Sequence, residues 1–296
     1  MIISASRRTD IPCFFADWFM HRARAGYVYT RNPMNRSQVH QVALDVEHVD
    51  FIMFWTKDAQ PMLDKLPELD QTGYLYGFQF TLTPYGKEIE GGLRNKSDIE
   101  DTFIQLGQTI GKERLFWRYD PIILNNELTI AYHDKAFTRL CERLHPYTEA
   151  VDISFVDTYA KLKNRPIREI SQAEMQEIGG RFAETAQKHG LIIKTCCETV
   201  DLSPFGIQPG ACIDKHAIER ICGYPIAAKP DKYQREGCHC LASVDIGMYN
   251  TCLNGCVYCY ANHGGDSIQK NRQNHRPDGD FLIGERLESD KVYEKK

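Results

Sequence analysis

The chain has 296 residues, 42% of them hydrophobic and 26% charged, with a net charge of −4. That length supports one large domain or two small ones, with a core that needs no metal merely to hold a tiny fold together. The charge excludes a global basic field for gripping nucleic acid, no apolar run is long enough to span a membrane, and "MIISASRRTDIP" puts its short apolar stretch ahead of its arginines, the wrong order for a signal peptide, so a cytoplasmic protein without a membrane partner is expected.

Strands are expected at 1–4, 50–56, 74–82, 114–119, 151–156 and 191–196, short runs of β-branched and aromatic residues, several almost continuously apolar. Such runs suit strands buried on both faces. Amphipathic segments lie between them. Residues 14–26 read as a helix. Residues 97–111 open on Ser97 and Glu100, the pattern of a capping box, and line Ile99, Phe103, Leu106 and Ile110 along one face. Residues 131–145 read as a third helix. The stretch 171–190 repeats the capping pattern with Ser171 and Glu174, carries the stripe Met175, Ile178, Phe182 and Ala186, and stops at Gly190. Strand–helix alternation at this spacing predicts an α/β protein with a parallel sheet, and six or more units favour a full or partial parallel (β/α) barrel over an open sheet. On this reading residues 1–199 supply the barrel units. Residues 200–262 complete it with a cysteine-rich segment that binds a metal cluster, with a short helix in "KHAIERICG" and a strand in "SVDIG". Residues 263–296 form a polar, loosely ordered tail.

The active face of a parallel barrel lies at the C-terminal ends of its strands. Candidate site residues are therefore the polar groups just past each apolar run. They are Arg7, Arg8 and Asp10 after the first, Lys57 and Asp58 after the second, and Tyr85 after the third. Arg118 and Asp120 follow the fourth, Asp157 the fifth and Glu198 the sixth. Taken singly, each reads as readily as a solvated group or a structural ion pair. As a set they suit a small polar or anionic substrate, and the adjacent Arg7 and Arg8 either clamp a carboxylate or phosphate or pair with Asp10.

Eleven cysteines are many for a reducing compartment, where clustered thiols bind metal or do chemistry more often than they form disulfides. Cys13 and Cys141 stand alone, while nine lie between Cys196 and Cys259. In "NTCLNGCVYCYAN" (250–262), Cys252, Cys256 and Cys259 form C-x3-C-x2-C. Three thiolates in a short loop that Asn254 and Gly255 allow to turn back can all face one centre. A structural zinc site ordinarily takes four ligands, and the fourth is offered only by Cys238, Cys240 or His263. Three ligands on a four-iron cubane leave one iron open. A second group, Cys238 and Cys240 in "GCHC" with Cys197 and Cys212 upstream, makes a four-cysteine set for a second iron–sulfur cluster or a zinc ion. Cys196, which continues a strand, and Cys222, which ends an apolar helix stripe, read as small buried hydrophobes.

The run Cys252-Leu-Asn-Gly-Cys256-Val-Tyr258-Cys259 resembles the C-x3-C-x-Φ-C signature (Φ aromatic) of the radical S-adenosylmethionine superfamily. "CVYCYAN" is most similar to its spore-photoproduct-lyase branch. The resemblance implies a [4Fe–4S] cluster on the three cysteines, with Tyr258 beside the adenine of S-adenosylmethionine and the open iron chelating its amine and carboxylate. One-electron reduction from a donor such as a flavodoxin or ferredoxin then yields a 5′-deoxyadenosyl radical that abstracts hydrogen from substrate. That branch also raises DNA as a substrate, which the acidic balance does not favour. Over nearly its full length the chain further resembles an uncharacterised bacterial family, a domain of unknown function, through "SRRTDIP" (6–12), "FWTK" (54–57), Cys238 and Cys240, and the stretch from Asp245 to Cys252. Members of the superfamily carry the triplet near the N-terminus, after the first barrel strand, and a Gly-Gly-Glu after a later one. Here the triplet comes last and "SRRTD" stands where Gly-Gly-Glu is expected. Circular permutation accounts for the first departure, with "SVDIG" first in barrel order and "MIIS" next. Two other readings stand beside this one. The first is a [4Fe–4S] electron-transfer or redox-sensing protein that does not cleave S-adenosylmethionine. The second is a zinc-stapled barrel acting as a hydrolase or nucleic-acid-processing protein.

Overall fold

The computed structural model describes residues 1–157, 162, 165, 167–235 and 237–295. Strand β1 (Ile2–Ala5) leads into two helices, α1 (Ile11–Phe14) and α2 (Ala16–Ala25), where one was expected. Asp10 caps the first by accepting from the Cys13 N–H, and Gly26, in the left-handed region at φ 74°, ends the second. A hairpin of β2 (Tyr27–Arg31) and β3 (Gln38–Ala43) follows, which the apolar pattern did not announce. Then come β4 (Phe51–Thr56), α3 (Leu66–Thr72), β5 (Tyr76–Thr81), α4 (Lys96–Ile110), β6 (Leu115–Ile122) and α5 (Ile130–Leu144). The chain continues through β7 (Ala150–Phe155), α6 (Gln172–Lys188), β8 (Ile192–Thr195), the two-residue β9 (Gln208–Pro209) and α7 (Lys215–Cys222). It closes with the two-residue β10 (Val244–Asp245), α8 (Gly265–Gln273) and β11 (Lys291–Lys295).

Eight strands form one parallel sheet in the order β10-β1-β4-β5-β6-β7-β8-β9. All six expected strands are in it, and the "SVDIG" strand pairs in parallel with β1, with Ile3 opposite Val244. This is the adjacency that a permuted strand order requires. Among the described residues β10 and β9 do not pair with each other, so the sheet is that of a partial rather than a full barrel.

The nearly continuous apolar runs exist because both faces are covered. Ile3, Ala5, Ile52, Phe54 and Phe78 enter the main core with the helices, while Ile2, Phe51 and Met53 pack against Ile213, Ile218 and Leu241 of the cysteine-rich segment. Inside the main core Phe137 of α5 and Phe182 of α6 stack at 3.8 Å, and Trp117 of β6 stacks on Phe137 at 5.4 Å.

The two capping patterns fare differently. Around α6 Ser171 Oγ accepts from the Glu174 N–H at 3.3 Å, and Glu174 accepts from the Ser171 N–H at 3.0 Å. Arg168, helped by Ser171, holds the Glu174 carboxyl down at about 2. Helix α4 instead begins at Lys96 with Asn95 at its cap, two residues before Ser97, and Glu100 is buried against Arg139 and Arg143. Tertiary ion pairs outcompete the local box there. Replacing Ser171 with alanine is expected to cost about 1 kcal/mol in urea denaturation. Because Glu174 titrates lower folded than unfolded, its contribution is present above about 4.5 and lost as pH falls toward 2. An unchanged denaturation midpoint for Ser171→Ala at neutral pH would count against the box.

Residues 263–295 correct the expectation of a loosely ordered tail. Trp18 donates its indole N–H to the Gly279 and Phe281 carbonyls at 2.9 and 3.0 Å, Arg22 pairs with Asp280, and Phe281 and Leu282 are buried. Strand β11 runs parallel to β3 and completes a three-stranded sheet. All of these partners lie in the first 43 residues, so no local pattern could reveal them. No helix is long and apolar enough to cross a membrane among the described residues.

Candidate functional site

Parallel strands end on one edge of their sheet, and at that edge a cleft of about 980 Å³ opens. The cysteine triplet, the second cysteine group and most of the strand-end charges line it.

Strand β10 is short, and Asp245 sets its place. One carboxylate oxygen accepts from Ser6 Oγ at 2.7 Å and the Gly247 N–H at 3.0 Å, the other from the Arg7 N–H at 2.8 Å and Ser4 Oγ at 3.1 Å. A Cβ on Gly247 would lie 2.1 Å from Ser6 Oγ, so the approach requires glycine. The chain then enters the loop that holds Cys252, Cys256 and Cys259, all half-buried and lining the cleft. Asp10 ties this loop to two others. It accepts from the Cys13 N–H at 3.0 Å, the Lys57 N–H at 2.8 Å and Asn254 Nδ2 at 2.9 Å. Burial pushes its carboxyl up to about 6 against those hydrogen bonds. This is the geometry of a positioning group.

Glu90 escaped the sequence reading and is the centre of the loop's support. Its side chain is 0% exposed. It pairs with Lys57 at 2.8 Å and with Lys96, and accepts from Thr83 Oγ1 and the Tyr258 hydroxyl. Burial raises its pKa, but the two lysines outweigh burial and hold it at about 2. The backbone beside it backs the cysteine loop: Glu90 bridges to Cys256, and the Gly92 N–H donates to the Asn254 carbonyl at 2.9 Å. A Cβ on Gly92 would lie 2.0 Å from the Leu253 carbonyl oxygen. The available signal was the Glu-Gly-Gly run in the β5–α4 connection. Tyr258 itself gives its hydroxyl to Glu90 and its ring face to Lys57, whose Nζ is 5.4 Å from the centroid.

The cationic wall is organised on Trp55. Arg7 and Arg118 lie over its ring at 5.0 and 5.6 Å. Arg7 Nη1 reaches Ser243 Oγ at 3.5 Å, whereas its Nη2 is buried with no hydrogen-bond partner among the described residues. Arg8 lies over Tyr249 at 5.2 Å. Arg118, 5% exposed, pairs with Asp120, which also accepts from Ser154. Asp157 is exposed and pairs with Arg235. Glu198 is not part of the cleft wall; it accepts from the Phe155 N–H at 2.8 Å, and burial raises its carboxyl to about 7. Asp58 and Tyr85 also lie off the wall, the first held by Arg94 at 2.6 and 2.8 Å, the second bonded to the Pro121 carbonyl at 2.7 Å.

Cys197, Cys212, Cys238 and Cys240 do come together, and Cys196, read from the sequence as a small buried hydrophobe, joins them. Cys196 Sγ lies 3.1 Å from Cys212 Sγ. Cys212 also neighbours Cys240, Cys196 neighbours Cys197, and Cys238 meets both Cys240 and Cys197. Cys222 stands apart, donating to the Asp50 carbonyl at 3.6 Å. The sulfurs are strung as neighbours: among the described residues no three His, Cys, Asp or Glu side chains are already set around a single metal position.

The family model described as Domain of unknown function (DUF1848) matches residues 2–261. Among solved structures, a putative alpha-L-fucosidase from Bacteroides thetaiotaomicron is similar at 14% identity over 61% of this chain and 77% of that one. Its TM-score of 0.25 is too low to carry any argument about fold or chemistry. No curated protein matches.

Proposed function

The chain belongs to the DUF1848 family, and from that premise we propose that it is an iron–sulfur enzyme of the radical S-adenosylmethionine type, abstracting hydrogen from a small polar or anionic substrate. One observation carries the reading. The loop bearing Cys252, Cys256 and Cys259 leaves the C-terminal end of β10 beside β1, so its three thiols and the strand-end cations line one cleft.

The donor set fits a [4Fe–4S] cluster. Three thiols come from eight residues of one loop, which Gly255 turns at φ 66°. Burial raises the Cys256 thiol to about 12, and Lys57 beside it works the other way, toward the thiolate that ligation needs. When bound, the cluster and S-adenosylmethionine supply one-electron cleavage of the sulfonium, and with it a hydrogen-abstracting 5′-deoxyadenosyl radical, at the expense of a donor such as a flavodoxin or ferredoxin.

The chain's own residues supply binding and order. Arg7, stacked on Trp55 and lining the cleft, offers a planar guanidinium to a substrate carboxylate or phosphate. Arg118 is held in place by Asp120. Glu90 keeps Lys57 charged and Tyr258 oriented behind the loop. The neighbouring of β10 and β1 supports the permuted strand order. A chain with eleven cysteines, nine of them between Cys196 and Cys259, suits a reducing cytoplasm, and the acidic net charge favours a small substrate over nucleic acid.

The test is the electron paramagnetic resonance spectrum of anaerobically reconstituted, dithionite-reduced protein with and without S-adenosylmethionine. A reduced-cluster signal that shifts on addition is the expected result. A signal indifferent to S-adenosylmethionine points to electron transfer or redox sensing instead. Zinc without iron overturns both.

A further inference from the structure

We propose that Cys196, Cys197, Cys212, Cys238 and Cys240 supply a second thiolate-ligated metal centre, on the β8–β9 side of the same cleft and separate from the Cys252–Cys256–Cys259 loop. The proposal goes beyond the function above and does not depend on it.

Three separate chain segments deliver the five thiols. Cys196 and Cys197 directly follow β8, Cys212 follows β9, and Cys238 and Cys240 arrive on the segment that leads into β10. Their meeting is built into the backbone. The Gln79 amide donates to the Cys212 carbonyl at 2.7 Å, the Leu241 N–H to the Ile213 carbonyl at 3.0 Å, and the Asp231 N–H to the Cys240 carbonyl at 2.9 Å. The result is the run of sulfur neighbours in which Cys196 and Cys212 stand at 3.1 Å. A disulfide between those two would account for two of the five thiols and leave the gathering of the others unexplained. Buried apolar packing explains it no better, because Cys197 and Cys238 are only half-buried at the cleft wall.

The charges around the group give an independent reason. Arg118, 5% exposed, donates Nη1 to Cys212 Sγ at 2.7 Å. Arg235, paired with Asp157, and Arg7 line the same cleft wall as Cys197 and Cys240. Four thiolates on a zinc ion or on an iron–sulfur cubane leave net negative charge at the site, and guanidinium groups at the sulfurs offset it. Arg118 meets the sulfur with Nη1 while its other arm pairs with Asp120, so one guanidinium spans the cysteine group and the strand-end carboxylate. The ligand chemistry is thus that of a thiophilic centre, zinc or iron–sulfur, whose binding releases the thiol protons. The two most buried thiols, Cys212 and Cys240, are its anchors.

The experiment uses the full chain with Cys252, Cys256 and Cys259 all replaced by alanine. It is purified anaerobically, reconstituted in parallel with iron plus sulfide and with Zn²⁺, and assayed for metal and acid-labile sulfide. The expected result is about one centre per chain, lost when Cys212→Ser and Cys240→Ser are added. Iron with sulfide identifies a cluster and zinc alone identifies a zinc site; either supports the proposal. Cobalt(II) offered to the triplet variant is expected to give thiolate-to-cobalt charge-transfer absorption. Circular dichroism confirms that each variant is folded, and Cys222→Ser, outside the group, should leave metal content unchanged. The reciprocal variant, with only Cys212→Ser and Cys240→Ser, should lose one centre and keep the triplet's. A folded triplet variant that binds none of the three metals overturns the proposal, whether its five thiols all alkylate freely or Cys196 and Cys212 are found as a disulfide. The reading of the triplet fails separately, through a wild-type signal indifferent to S-adenosylmethionine, while the second centre persists.

Discussion

Replacing Cys256 with alanine is expected to abolish the S-adenosylmethionine-responsive signal of the reconstituted protein, a loss of at least about tenfold, while the fold survives. Cys256 is half-buried on the cleft wall and its backbone is held by the bridge to Glu90, so truncating the side chain removes a ligand and little packing. A loop with two thiolates cannot hold a cubane that needs three, and alanine at Cys252 or Cys259 should do the same. The measurement is best made in the Cys212→Ser, Cys240→Ser background, where iron at the second group does not mask the loss. Cys256→Ala protein that kept the responsive signal would refute the assignment of the triplet as cluster ligands.

The second large effect is on stability. Glu90→Gln is expected to destabilise the protein by about 3–5 kcal/mol, because it leaves Lys57 and Lys96 without their buried counter-charge. Glutamine keeps the shape and can still meet Thr83 and Tyr258, so the loss isolates charge from volume. Adding Lys57→Met should restore part of the stability, since it removes a stranded charge rather than a contact. Urea denaturation of the two variants and the parent gives the comparison. A loss below about 1 kcal/mol for Glu90→Gln would mean that water or a shifted lysine satisfies the charges, and that Glu90 does not brace the loop.

The parallel sheet was legible because its signal is local. A strand covered on both faces must be apolar at nearly every position, and "DFIMFWT" or "YLYGFQFTL" says so without reference to the rest of the chain. Helix α6 announced its own start for the same reason, since Ser171 and Glu174 satisfy each other within one turn. The identical pattern at Ser97 and Glu100 misled, because Arg139 and Arg143 on a neighbouring helix offer Glu100 a stronger partner. The cysteine loop was readable from spacing alone, and where each apolar run stops pointed to Arg7, Lys57, Arg118 and Asp120 on the cleft wall but also to Asp58 and Glu198, which lie off it.

Glu90 was not readable. A carboxylate in a turn-rich loop looks like any solvated group until Lys57, Lys96 and Tyr258 are seen to close on it from three other places in the chain. Asp245 was likewise hidden, as its partners Ser4, Ser6 and Arg7 lie at the opposite end of the sequence.

By itself, then, the sequence determined the six apolar strands of the parallel sheet, helices α4 to α7, and that three thiols share one loop, since periodicity and spacing act between residues a few positions apart. Only the tertiary structure decided which strand stands beside which, that Cys196 joins the second thiol group, that Glu90 braces the loop, and that residues 263–295 are packed rather than loose. Each of these depends on side chains brought together from distant parts of the chain. Contacts of that kind become determinate only once the sheet has set the distance and direction between them.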